Sequence, residues 1–239
     1  MTNRSGSLAI LVAASLAWCA PAHALIVNGG FEAGFAGWVR ADQPGSDGTF
    51  WIQSGTSSPV NASAVAPPPE GVQAAMSDAQ GPGSHVLYQD FLVPAAVQTA
   101  SLSFQIYVRG EADFANPNHL DFGGTDLNQH VRVDLLDASS DAFTTSVLMN
   151  LFQTQPGDPL ESGYSLFEFD VSGLLQAHAG DTLRLRFAEV DNVFFQNLGV
   201  DAVNVSVNAV PVPEPSTLLL MMAGVAALTC TRARRRRAA

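Results

Sequence analysis

Residues 101–109 have the sequence Ser-Leu-Ser-Phe-Gln-Ile-Tyr-Val-Arg, in which polar and apolar side chains alternate. Alternation with a period of two predicts a half-buried β-strand, with one row of side chains in the core and one in solvent. Residues 181–187 repeat the pattern, since their apolar side chains share one face and both of their arginines share the other. These two stretches indicate a domain built from strands.

Outward from these stretches, most of residues 25–208 divides into short segments of the same kind. We predict further strands near residues 49–53, 72–77, 85–93, 130–137, 144–149, 166–171 and 203–207. Turns rich in glycine, proline, asparagine and aspartate separate them. The one helix we predict is short, at residues 172–179. The fold class is therefore all-β, an antiparallel β-sandwich and most simply a jelly roll.

Charge and cysteine content exclude several classes of function. The chain has 239 residues, 22 acidic residues and 11 basic residues, all of them arginine. Residues 25–213 hold 21 of the acidic residues and only five arginines, so this part repels phosphate and is not expected to bind nucleic acid. Cys19 and Cys230 lie in the apolar ends, which leaves the middle without disulfides, zinc–thiolate sites or cysteine nucleophiles.

The first 24 residues are typical of a secretory signal peptide. Arg4 precedes the apolar run 8–18, and the segment ends in Ala22-His23-Ala24, with small residues at the positions that signal peptidase requires. The mature chain is therefore expected to begin at Leu25. A membrane-spanning or buried helix would need a longer apolar run than this one.

The other end has three parts in a fixed order. A proline-rich linker at residues 209–217 is followed by an uncharged apolar segment at 218–231 and a basic tail at 232–239. The apolar segment predicts a short transmembrane helix, and the arginine tail predicts that its end lies in the cytoplasm. The acidic domain would then lie outside the inner membrane.

With Pro213, Glu214 and Pro215 ahead of that helix, residues 211–239 resemble the PEP-CTERM sorting signal. The resemblance implies a Gram-negative bacterium that secretes extracellular polysaccharide. It also implies processing by an exosortase, with the triplet as the recognition element and the cell surface or extracellular matrix as the destination. The alternative is a simple tail anchor in which the triplet is only a stiff linker.

The mature domain resembles galactose-binding-like carbohydrate-binding modules. The resemblance rests on residues 25–32, 37–38, 86–91, 183–187 and 198–203. It implies a structural Ca²⁺ ion held by Glu32 and Asp201, with loop carbonyls completing the oxygen shell. Ala202 departs from the pattern, because these domains often have asparagine there. The alternative is that both carboxylates only accept backbone hydrogen bonds.

Two long loops, residues 54–70 and 110–129, interrupt the strand pattern, and loops of this size are often functional. Sugar binding needs an exposed aromatic ring, and Phe114 and Phe122 are our candidates because their loop is rich in acids and glycines. Trp38 and Trp51 are expected to be core or semi-core residues. His119 in the same loop is expected to be solvated.

Glu168 and Asp170 lie two apart on a predicted strand, as paired carboxylates of some glycosidases do. In laminarinase-like enzymes a third carboxylate follows two positions later, and here that position is Ser172. We therefore predict no enzyme activity. The favoured hypothesis is an exported surface or matrix protein that binds carbohydrate; the alternatives are a structural or adhesive protein without sugar affinity and a polysaccharide hydrolase.

Overall fold

A computed structural model describes residues 23–209. Nearly all of the predicted signal peptide (1–24), most of the linker (209–217), the apolar segment (218–231) and the basic tail (232–239) lie outside the described residues. Between residues 23 and 209, no helix has the length and apolar character needed to cross a membrane.

The described chain forms strands and one short helix. In chain order they are β1 (His23–Ala24), β2 (Val39–Asp42), β3 (Thr49–Gln53), β4 (Ala74–Asp78), β5 (Gly83–Leu92), β6 (Val97–Gly110), β7 (Gln129–Asp137), β8 (Met149–Gln153), β9 (Glu161–Asp170), α1 (Ser172–Ala177), β10 (Thr182–Asp191) and β11 (Gln196–Ala209).

Two antiparallel sheets face each other. The first sheet has the order β3-β4-β11-β6-β9, with β1 paired to the end of β11, and the second has the order β2-β5-β10-β7-β8. One side of the sandwich therefore has the edge strands β2 and β3, and the other side has β8 and β9. The structure confirms the predicted antiparallel β-sandwich.

The core lies between the sheets and follows the alternation in the sequence. The inward residues of β6, among them Leu102 and Phe104, pack against Leu183, Leu185 and Phe187 of β10, and all five are fully buried. The Phe104 and Phe187 rings meet edge to face at 5.5 Å between centroids. Both arginines of β10 lie on the opposite face, as the sequence predicts.

Most predicted strands are present, but their ends differ. The strand at 49–53 is confirmed, and those near 72–77, 85–93, 130–137, 166–171 and 203–207 overlap β4, β5, β7, β9 and β11. The short helix is confirmed at Ser172–Ala177, while β1 and β2 were not predicted. The strand predicted at 144–149 is wrong, since β8 begins only at Met149.

Buried arginines explain that error. Arg186 donates hydrogen bonds from Nη1 to the carbonyl oxygens of Ala142 (2.7 Å) and Thr144 (2.8 Å). Its Nη2 donates to Asp134, which also accepts two hydrogen bonds from Arg132 at 2.7 and 2.8 Å. Arg186 thus uses the carbonyl of Thr144, the first residue of the predicted strand, and that of Ala142 before it to hold this loop over the outer face of the second sheet.

The N-terminal turn approaches β11 so closely that one position admits only glycine. The Val203 N–H donates to the Gly29 carbonyl at 3.0 Å. A Cβ atom at Gly29 would lie 1.8 Å from the Val203 carbonyl oxygen, far inside van der Waals contact. This contact fixes the turn that carries Glu32.

We expect Gly29→Ala to lower the free energy of unfolding by about 1–3 kcal/mol, because the backbone must move apart to admit the methyl group. Chemical denaturation of the purified chain measures the change. Gly163→Ala is the matched control, since nothing lies within 4 Å of a Cβ atom there. Equal effects of the two substitutions would contradict the close approach.

Candidate ligand-binding and calcium sites

An open groove lies where the edge strands β2 and β3 meet. Its volume is about 610 Å³, and it is lined by Phe35, Trp38, Val39, Arg40, Asp42, Thr49 and Trp51. Trp51 is 42 % exposed, so its indole ring is available to a ligand. We call this surface the Trp51 groove.

The polar side chains of the Trp51 groove are held in place. The Arg40 guanidinium lies 4.5 Å from the centroid of the Phe35 ring and donates from Nη1 to the Phe50 carbonyl at 2.8 Å. Asp42 Oδ1 lies 2.7 Å from His85 Nδ1. A partly exposed indole beside positioned charged groups can stack on an apolar ring face and hydrogen-bond to its substituents.

Trp38 and Trp51 differ in how deeply their side chains are buried. Trp38 is buried, as predicted, with its ring 5.1 Å from Phe31 and 6.0 Å from Phe187 and its Nε1–H donating to the Asn28 carbonyl. Trp51 packs only partly, because it lies on an edge strand and points away from the core. Sequence alternation alone could have placed it outward, since its neighbours Phe50 and Ile52 both pack inward.

The prediction that Phe114 is exposed is wrong. Its side chain is 3 % exposed and belongs to the main core. The reason is a pair of backbone hydrogen bonds between Ala115 and Gln129, at 3.0 and 2.9 Å, which ties this part of the loop to the start of β7. The ring is drawn between the sheets beside Gly110, so it offers no surface for a sugar.

Phe122 is half-buried and remains a candidate. It packs against a small cluster on the outer face of the second sheet that includes Leu120, Ala188 and Val190. It also borders an open depression of about 510 Å³ together with Gly123 and Gly124.

The rest of that loop is held by internal hydrogen bonds. Asn128 donates from Nδ2 to the carbonyl oxygens of His119 and Asp121, at 3.3 and 2.9 Å. The Gly123 N–H and the Gln43 amide hold the pKa of the Asp121 carboxyl below its usual range. His119 and Asp121 therefore serve the loop's own structure.

Glu32 and Asp201, the predicted calcium ligands, both accept backbone hydrogen bonds. Glu32 Oε1 accepts from the N–H groups of Val72 and Gln73, at 2.8 and 2.9 Å. Asp201 accepts from Ala202 at 2.7 Å and from Glu70 at 3.1 Å. These contacts are those of the alternative interpretation, in which the carboxylates only stabilise turns.

The surroundings of Asp201 nevertheless fit a hard cation. Asp201 is fully buried, and burial raises its pKa to about 6, with Glu70 and Glu32 adding to the rise. A Cβ atom at Gly30 would lie 3.6 Å from Glu70 Oε2 and 3.8 Å from Asp201 Oδ1, so two carboxylates face an open position beside this glycine. Oxygen donors of this kind suit Ca²⁺.

Glu70 is a residue that sequence reasoning missed. It ends a proline-rich loop and carries no spacing signal that would link it to Asp201. Within the described part of the chain, no three histidine, cysteine, aspartate or glutamate side chains are placed to hold a metal ion. An ion at Asp201 would therefore also require backbone carbonyl oxygens, as the resemblance implies.

Ala202 adopts a left-handed backbone conformation, with φ at 50°. Asparagine tolerates this region better than alanine does, which is a physical reason for asparagine at this position in the domains that the sequence resembles.

Glu168 and Asp170 lie on the solvated face of β9 and are exposed. They border a shallow depression of about 460 Å³ with Ser101, Ser206 and other small polar residues. Hydrogen bonds from Ser172 lower the pKa of Asp170, whereas a proton donor needs a raised pKa. The Ser172 hydroxyl itself is engaged with the backbone of Ala100. Neither Asp170 nor Ser172 is therefore placed to donate a proton.

Comparison with solved structures finds distant similarities. TmCBM61, solved in complex with β-1,4-galactotriose, is 12 % identical, with 77 % of this chain and 97 % of that chain covered and a TM-score of 0.44. A carbohydrate-binding module of the β-sandwich superfamily is 13 % identical, with 74 % of this chain and 60 % of that chain covered and a TM-score of 0.42. The Stig cyclase Fisc from Fischerella sp. TAU is 16 % identical, with 79 % of this chain and 99 % of that chain covered and a TM-score of 0.47.

Comparison by sequence finds a family match at the C-terminus. No curated protein sequence matches the chain significantly. Residues 211–237 match the family model of the PEP-CTERM protein-sorting motif. The resemblance predicted around Pro213, Glu214 and Pro215 is therefore confirmed, and the chain carries a PEP-CTERM protein-sorting motif.

Proposed function

We propose that this protein is exported across the inner membrane of a Gram-negative bacterium, processed by an exosortase and delivered to the cell surface or extracellular matrix. The observation that supports this proposal is the PEP-CTERM motif at residues 211–237. The signal peptide expected at residues 1–24 and the arginines after residue 231 give the same direction of insertion. The acidic sandwich then lies outside, and the basic tail stays in the cytoplasm.

Glu214→Ala tests the sorting step. We expect the variant chain to accumulate in the inner membrane at its unprocessed length, because the recognition triplet has lost its charged member. Immunoblotting of separated membrane and extracellular fractions measures this. Ser216→Ala is the control, since it alters a neighbouring residue outside the triplet. Normal maturation of the Glu214 variant would contradict exosortase recognition through this residue.

We further propose that the sandwich is a non-catalytic domain that binds extracellular polysaccharide in the Trp51 groove. The groove combines a partly exposed indole with the positioned charges of Arg40 and Asp42. A hexose needs both kinds of contact, an aromatic face for its C–H groups and polar partners for its hydroxyls. The Phe122 depression offers a ring with fewer polar partners, and it ranks second.

We also retain the structural Ca²⁺ ion as a proposal. Asp201 and Glu32, with the newly identified Glu70, would hold it, and the ion would tie the N-terminal turn to β11. When bound, the ion supplies positive charge that offsets the buried Asp201 carboxylate.

We expect the melting temperature of the wild-type chain to be higher in calcium than in chelator, because the ion binds only the folded state. Asp201→Asn should reduce that difference, and Asp170→Asn, an exposed aspartate on β9, should leave it unchanged. Differential scanning calorimetry in calcium and in EDTA measures both. An unchanged calcium effect in the Asp201 variant would remove Asp201 from the site.

A further inference from the structure

The inward face of the second sheet changes from apolar to acidic side chains at one end of β10. Leu183, Leu185 and Phe187 lie in the core, and the alternation then continues with Glu189 and Asp191. Both carboxylates are buried, at 1 % and 0 % exposure. Two acidic side chains thus occupy positions at which the alternation predicts apolar side chains.

Buried carboxamides surround this pair. Gln129 of β7 is directly opposite Asp191, and Gln196 begins the inward row of β11 in the facing sheet. Both glutamines are fully buried. We call Gln129, Glu189, Asp191 and Gln196 the polar chamber.

None of the side-chain oxygen and nitrogen atoms in the polar chamber has a hydrogen-bond partner of close geometry among residues 23–209. They comprise four carboxylate oxygens, two amide oxygens and two amide nitrogens. The Ser77 hydroxyl lies near Glu189, and the N–H groups of Gly83 and Gln196 lie near Asp191, where they partly stabilise the two carboxylates. A buried polar group without a partner is costly, and native proteins leave few of them. Here oxygen acceptors outnumber the nitrogen donors, so a bound cation would offset the two carboxylates and occupy their free acceptors.

The arginines within residues 23–209 do not fill this need. Each arginine within residues 23–209 is engaged elsewhere: Arg40 with the Phe50 carbonyl, Arg109 with Glu111, Arg132 and Arg186 with Asp134, and Arg184 with Asp90. The sequence has no lysine. No arginine or lysine from the described chain thus offsets the two buried carboxylates.

His85 lies at the edge of the chamber, within ion-pair distance of one carboxylate. Its Nε2 is 3.8 Å from Glu189 Oε1, but it lies 2.9 Å from the Asp47 carbonyl oxygen. Its Nδ1 is 2.7 Å from Asp42 Oδ1. Both ring nitrogens are therefore already directed at other oxygen atoms.

We propose that the polar chamber binds one Ca²⁺ ion between the two sheets. Two carboxylates and two amide oxygens supply the hard oxygen ligands that calcium prefers, and they can be mono- or bidentate. Mg²⁺ fits less well, because it retains several water molecules in an octahedral shell. The site is separate from Asp201, which lies further along β11 and points to the opposite face from Gln196.

Burial opposes the charge of this pair when no cation is bound, because it raises the pKa of both Glu189 and Asp191, and the Asp191 charge adds to the rise at Glu189. Because the ligands are enclosed, we expect calcium to enter as the chain folds and to exchange slowly.

Metal analysis of the purified full-length chain tests the proposal. The chain is loaded with calcium, passed through a desalting column and analysed by atomic emission. We expect E189Q/D191N to hold one calcium per chain fewer than wild type. The control E168Q/D170N changes the same residue types at the same spacing on the exposed face of β9, and it should hold the wild-type amount.

The calcium content also distinguishes the polar chamber from the site proposed at Asp201. Asp201→Asn must keep the calcium that E189Q/D191N loses. If the double variant does not fold, as judged by circular dichroism, Asp191→Asn alone gives the same readout. Equal calcium content in wild type and the chamber variant would overturn the inference, as would a wild-type chain that holds no calcium.

Discussion

Replacing Asp134 by asparagine is expected to lower the free energy of unfolding by about 3–5 kcal/mol, the range for removing one partner of a buried ion pair. Asp134 is fully buried and accepts hydrogen bonds from both Arg132 and Arg186. Asparagine keeps the volume but removes the charge, so two buried guanidinium groups lose their counter-ion. Urea denaturation of the purified chain measures the loss.

Two further variants make this prediction specific. Asp170→Asn changes an exposed aspartate and should alter stability by no more than about 0.5 kcal/mol. Combining the Asp134 substitution with Arg186→Met should recover part of the loss, because one of the uncompensated charges is then gone. Stability of the Asp134 variant within error of wild type would show that the arginines do not depend on this carboxylate.

Trp51→Ala is expected to weaken polysaccharide binding by about 2 kcal/mol, which is roughly 30-fold in Kd. The substitution removes the apolar face against which a sugar ring would stack, while Arg40 and Asp42 remain. Some stability should also be lost, because more than half of the Trp51 surface is buried, so circular dichroism must show that the variant is folded. A glycan array identifies the ligand, and isothermal titration calorimetry measures both affinities.

Phe194→Ala is the matched control for the Trp51 groove. Phe194 is also an exposed aromatic residue, at 66 % exposure, but it does not line the groove. Its removal should leave the affinity unchanged. Equal losses in the two variants, or sugar binding that survives Trp51→Ala, would exclude the groove. Absence of any array hit in the presence of calcium would favour the structural or adhesive alternative.

The strand pattern was predictable wherever one face of a strand packs in the core and the other meets solvent. β6 is such a strand, and the alternation of polar and apolar residues in its sequence predicted its location correctly. β2 was missed because it is short and mostly exposed, so no apolar row marks it. Residues 144–149 have the composition of a strand, but the Thr144 carbonyl at its start accepts from Arg186, which no local pattern reveals.

The sites were predictable to a smaller extent, because they depend on contacts between distant segments. Burial of Phe114 follows from the pairing of Ala115 with Gln129, and its local composition indicated the opposite. The role of Glu70 beside Asp201 joins residues 131 positions apart. By contrast, the inward direction of Glu189 and Asp191 could have been inferred by continuing the alternation of β10.

The most direct test of this account is the location of the sandwich in living cells. Protease is added to cells whose outer membrane has been permeabilised and whose inner membrane is intact, and the domain is followed with an antibody. We predict that residues 25–209 are degraded in unprocessed chains while a cytoplasmic marker survives. A sandwich that stays protected until the inner membrane is broken would contradict export, and with it the proposed role at the cell surface.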